Sequence, residues 1–333
     1  HNADAIQIIK TGPAVADPML QAILAEHPQY SDRMSLLVLD PAGFATQSKD
    51  AFSSFNHFYP SDWATEFLHV VERWKPASAI SELQPSVSSA GFKDPDGVTR
   101  SRVYIMPYDL FGTRDEWTRL MPGLMDIDLG EENFDITPKD FKLFCILHEL
   151  GHTLDPVIYD SRRDHERFRH PQREEMLADT YASLQWLKRG KDPQAIKDIS
   201  LARALYTAHT GGFSYYTSDG IDAAIAYASN SHNLAQLQTM SASEIFAIAR
   251  AIVADNVLPA SIRALFADTD KNANHPAVAK LLQRVSEAED KFTSNPPSAD
   301  QAARDYRRDL DELLAQTQHL PNAKANIVAQ ELY

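Results

Sequence analysis

The stretch Leu147-His148-Glu149-Leu150-Gly151-His152 decides how this chain is read. It contains the pattern H-E-x-x-H. On a helix, residues four apart lie on one face. His148 and His152 can therefore reach one metal ion, with Glu149 beside them to take a proton from water. The flanks predict a helix over about 138–154. Thr137 can cap it, Pro138 suits its first turn, and Asp140 places negative charge near its N-terminus. Leu143, Leu147, Leu150 and Leu154 form an apolar stripe that would bury one side, and the two histidines fall on an adjacent face. With 12 histidines in 333 residues, the bare pattern arises by accident in roughly a few per cent of chains. A third ligand in the right place is what would strengthen it.

Residues 172–182, Gln-Arg-Glu-Glu-Met-Leu-Ala-Asp-Thr-Tyr-Ala, read as a second helix. Glu175 and Asp179 are four apart and share a face. Together with the H-E-x-x-H segment, this arrangement resembles the gluzincin branch of the zincin metallopeptidases, over about residues 138–182. The resemblance implies zinc bound by His148, His152 and Glu175. It implies Asp179 as the partner that orients His148, fixing its tautomer and raising its basicity. Glu174 lacks the four-residue spacing to Asp179 and is the lesser candidate. The metzincin extension is absent, since Ile158 stands ten residues after His148. No Gly-Ala-Met-Glu-Asn segment, the mark of many gluzincin aminopeptidases, is present, which favours an endopeptidase.

The resemblance implies an α+β, zincin-like fold. An N-terminal lobe with a mixed sheet, residues 1–154, would end in the metal helix. A mainly helical lobe, residues 155–333, would carry the third ligand, with zinc in the cleft. Strands are predicted at 34–39, 102–106 and 125–129, and helices at 17–27 and from Ser61. Residues 85–97, rich in Ser, Gly, Pro and Asp, read as a loop. In zincins the strand antiparallel to the bound substrate lies at the sheet edge, just before the metal helix. Here 102–106 and 125–129 are the candidates. An edge strand can pair with an extended peptide.

Farther on, Gly190 should end one helix and Asp192-Pro193 start the next. Ser241 and Glu244 form a capping box for a helix through about Asp255. Residues 276–292 and 298–318 read as a closing helical hairpin. Residues 268–274 bear a faint likeness to a calcium loop but lack its glycine and its final glutamate, and read as a polar turn. Arg162, Arg163, Arg167, Arg169, Arg173, His165 and His170 make 155–173 basic. Such a cluster serves either as a rim for acidic substrate groups or as a solvated loop paired with nearby carboxylates.

The composition bounds the function. The net charge of −14 argues against general nucleic-acid or anionic-membrane binding. Hydrophobic content of 44% and charged content of 23% are those of a globular protein, and no apolar run is long enough to span a bilayer. Cys145 is the single cysteine, so no intramolecular disulfide forms and cysteine usage does not fix the compartment. The chain begins at His1 rather than methionine, which fits a removed signal peptide as well as a trimmed sequence. The expectation leans to a secreted or periplasmic protein.

The expected function is a zinc-dependent peptidase acting on protein or peptide substrates, with Glu149 as general base. Two alternatives stand beside it: a binding protein with a structural metal, and a zinc hydrolase of a non-peptide amide. A structural zinc site usually closes with four protein ligands, whereas only three stand out here. An additional donor to the carbonyl oxygen is expected in the break at 209–218. Tyr216 is the first candidate and His209 the second, with Tyr159 and His170 as further positions.

Overall fold

The computed structural model describes residues 7–10, 22, 25–26, 34–38, 87–93, 99–105, 137–155, 171–210, 213–258, 271–276, 278–280 and 282–283. Four short strands are traced: β1 (Gln7–Lys10), β2 (Met34–Val38), β3 (Val87–Lys93) and β4 (Thr99–Ile105). Their order is β1-β2-β4-β3. β1 runs parallel to β2, with Gln7 opposite Ser35, and β2 runs parallel to β4, with Met34 opposite Ser101. β3 is antiparallel to β4, with Val87 opposite Ile105. Six helices follow: α1 (Pro138–Leu154), α2 (Pro171–Lys188), α3 (Pro193–Thr210), α4 (Ser218–Ser229), α5 (Ser231–Thr239) and α6 (Ala242–Asn256). A 3-10 turn, Phe213–Tyr215, separates α3 from α4.

The chain folds into two compact units. Among the described elements, one unit holds the four strands, α1 and the first turn of α6. There α1 lies against β3 and β4. The Thr137 hydroxyl accepts from the Asp140 amide at 3.1 Å, the N-cap bond predicted from the sequence. Leu143, Leu147, Leu150 and Leu154 are all buried, so the predicted stripe does turn inward.

The other unit holds α2 to α5 and the rest of α6. Here α4 packs on α2 and α3, and α5 packs on α4 and α2. The contact between α2 and α4 is close because Gly220 faces Met176 and Thr180. A Cβ at Gly220 would stand 2.6 Å from Met176 Cγ, closer than side chains tolerate. The large buried side chains of this unit are Trp186, Tyr181 and Tyr216. Gly190 ends the loop of α2 with φ 66°, a conformation that glycine adopts at no steric cost. Asp192 then accepts from the Gln194 amide at 2.9 Å, which starts α3. Ser241 and Glu244 form their capping box reciprocally, at 2.7 and 3.3 Å.

The α+β, zincin-like class is corrected by this structure. Among the residues whose side chains are described there is no strand and no sheet; every regular element is a helix. The buried side chains described from Leu143 to Val253 sit on helices, apart from Asp155 just after α1 and those at the turn before α4. The strands are short and are described only by backbone pairing.

Two smaller expectations also change. Residues 87–93 are a strand rather than a loop. Pairing with β4 on one side organises this stretch despite its small and polar composition, because strand formation depends on neighbours more than on propensity. The candidate edge strand at 102–106 is not an edge, since β4 is paired with β2 on one side and β3 on the other. Its backbone is committed to the sheet and is not open to a peptide. The predicted strand at 125–129 and the helices from Ser61 and at 298–318 lie outside the described residues. So does most of the helix predicted at 17–27, and the helix at 276–292 is described only in its first residues.

Candidate metal centre

Each candidate ligand is placed by its helix. His148 and His152, one turn apart on α1, turn their Nε2 atoms towards each other at 3.1 Å. The rings stand edge to face, with centroids 4.7 Å apart and planes at 88°. His148 is buried, while His152 and Glu175 of α2 are half-buried. One ligand atom from each of the three lies within 4.8 Å of the other two. The donor set of two imidazoles and one carboxylate could hold a metal ion.

The spacing fits a small divalent ion. Two nitrogens bound to a tetrahedral zinc at about 2.0–2.1 Å stand about 3.3–3.4 Å apart. The two Nε2 atoms are close to that separation. Without a cation, two ring nitrogens facing each other at this distance need a proton between them, since two lone pairs repel. A shared metal satisfies both at once.

Glu149 follows His148 on α1, and its Oε1 is 3.9 Å from His148 Nε2. Its side chain retains 15% exposure, so the carboxylate is near the converging nitrogens and still reached by water. Cys145, one turn earlier, forms no disulfide and lies outside the ligand group.

Asp179 is completely buried on α2. Its carboxylate takes a two-pronged ion pair from Arg203 of α3, Nε to Oδ2 at 2.9 Å and Nη2 to Oδ1 at 3.1 Å. Thr217 Oγ1 donates to the same Oδ2 at 2.5 Å. Burial disfavours the charge of Arg203, but Asp179, Glu175 and Tyr215 together outweigh it, so the guanidinium pKa is raised. Arg203 also stands over the Tyr215 ring, 4.9 Å from its centroid.

These are residues that the sequence reading missed. Arg203 is 24 positions from Asp179, and Thr217 is 38 positions away. No local pattern announces such pairs. The only available signal was a buried-looking carboxylate in α2, which demands a partner somewhere.

The expected carbonyl donors fall in different places. Tyr216 is wholly buried, and its backbone oxygen accepts from Gln172 Nε2 at 3.0 Å. His209 lies in the last turn of α3 rather than in an irregular segment, because the helix runs to Thr210. Its side chain, like Tyr159 and His170, lies outside the described residues. Of the calcium-like stretch, residues 271–274 form a turn, and Asp268 and Asp270 lie outside the description.

No protein-family model, curated protein or solved structure matches this chain. Among the described residues, no helix is long and apolar enough to cross a membrane.

Proposed function

We propose that this protein is a zinc-dependent peptidase that cleaves internal peptide bonds. The observation that carries the reading is the meeting of His148, His152 and Glu175, with Glu149 adjacent to the converging nitrogens. Glu149 belongs to the motif but not to the ligand group. A purely structural metal site would have no use for a partly exposed carboxylate in that place.

His148 and His152 would each offer a ring nitrogen to the metal, and Glu175 would add one carboxylate oxygen. Three protein ligands leave room for a reacting group, as catalytic zinc sites do. A zinc ion held there supplies Lewis acidity, which polarises a carbonyl and brings water deprotonation near neutral pH. Glu149 accepts the proton of the attacking water and returns it to the leaving amine. The ordered α1 helix fixes the separation between this base and the two histidines. The same set could serve a non-peptide amide; peptide substrates are proposed because the motif and its downstream glutamate resemble those of gluzincin peptidases.

The test is cleavage of a broad peptide library by the purified protein loaded with Zn2+. Cleavage at internal bonds should disappear with a chelator and return when Zn2+ is restored. Glu175→Ala should lose most of its bound zinc. Chelator-insensitive cleavage, or full zinc content in Glu175→Ala, would contradict the assignment.

A further inference from the structure

The candidate ligand Glu175 sits between two buried polar anchors on its own helix. Gln172, Glu175 and Asp179 are spaced three and four apart and share one face of α2. Gln172 donates to the Tyr216 carbonyl at 3.0 Å and accepts from the Leu258 amide at 3.2 Å. Asp179 is gripped by Arg203 and Thr217. Both anchors therefore engage the segment that follows α3: Gln172 holds residue 216, and Asp179 holds residue 217. Gln172, Asp179 and Thr217 are all buried. The cation that completes the bracket, Arg203, is close enough to Glu175 to interact with it electrostatically.

From this geometry we infer that Arg203 is a positioning residue for the metal centre: through its fork on Asp179 and the turn at Thr217, it fixes the helix face that presents Glu175. The inference rests on the metal reading above and adds a residue to it. A guanidinium suits the task because its planar fork binds both carboxylate oxygens at once. An ammonium at the same place keeps the charge but not the two-pronged geometry. Arg203 also neutralises one of two carboxylates that stand a single helical turn apart. Without it, Glu175 and Asp179 would repel across that turn.

The experiment uses the full chain and reads metal binding rather than turnover. Zn2+ affinity is measured by competition with a chromophoric chelator for the wild type, Arg203→Lys and Thr217→Val. The visible absorption of the Co2+-loaded proteins and the melting of the metal-free proteins are recorded alongside. Arg203→Lys should fold, bind Zn2+ about tenfold more weakly, and shift the Co2+ bands, as loss of an outer partner does. Thr217→Val should weaken Zn2+ in the same direction by a smaller factor. If Arg203→Lys melts earlier but keeps wild-type Zn2+ affinity and Co2+ bands, Arg203 is merely structural and the inference fails. If the wild type itself binds neither ion, the metal reading fails first, and this inference with it.

Discussion

The two helices that supply the candidate ligands are built on different principles. α1 is a helix of local rules. Its cap, its first-turn proline and aspartate, its leucine stripe and its two histidines are all set by positions within the same 18 residues. α2 is a helix of distant partners. It is buried without a break from Met176 to Leu187, and that run includes Asp179, Thr180, Ser183 and Gln185. Polar groups so enclosed need hydrogen bonds. For Asp179 the partners come from α3 and from the turn before α4. Ser183 and Gln185 are instead satisfied within α2, by the Asp179 carbonyl at 2.8 Å and the Tyr181 hydroxyl at 2.9 Å. The comparison teaches that a helix can present a ligand by simple amphipathic packing or by a buried polar lattice, and that the second depends on the whole unit.

This difference predicts unequal sensitivity. Asp179→Ala should be the most damaging change to stability. It leaves the Arg203 guanidinium, only 19% exposed, without its main counter-charge. Breaking a buried pair from one side costs about 3–5 kcal/mol, and the partial exposure of Arg203 places the expected loss near the lower end, about 3 kcal/mol. Denaturant unfolding of the metal-free protein measures it. A loss no larger than that of an ordinary surface substitution would remove the distinction drawn for α2.

The corresponding break in α1 should be milder. Thr137 is exposed, and its hydroxyl satisfies a single helix-end amide. Thr137→Ala should cost about 1 kcal/mol and leave zinc stoichiometry unchanged, because the rest of the helix is held by its leucines. The same unfolding experiment, run with zinc analysis, sharpens the comparison. A loss equal to that of Asp179→Ala would mean that α1 also depends on one anchor.

The same contrast explains what could be read from the sequence. α1 was legible from end to end, since its boundary, buried face and two candidate ligands follow from residue types and spacing within it. Glu175 was implied by the family resemblance and preferred to Glu174 by its spacing to Asp179, and one of its carboxylate oxygens does lie within 4.8 Å of the histidine nitrogens. The bracket around it was not legible. A bidentate contact across 24 residues and a hydroxyl contact across 38 leave no trace in composition or periodicity. Tyr216 shows the opposite limit. Its neighbourhood of glycines and aromatics reads as an irregular, approachable segment, yet the side chain fills the core. The α+β class failed for a related reason. It rested on strand candidates read in residues 1–136 and on a resemblance over about 45 residues, whereas the class of a fold is set by how all its elements pack.

The central claim is that Glu149 is the base of a metal-dependent hydrolysis. It is tested most directly by the turnover of Glu149→Gln, measured on a cleaved peptide at the same bound zinc content as wild type. The substitution keeps the size of the side chain and removes the proton acceptor. The account predicts full zinc occupancy and a fall in kcat of about 10²–10⁴-fold. Turnover near the wild-type value, with zinc retained, would contradict it.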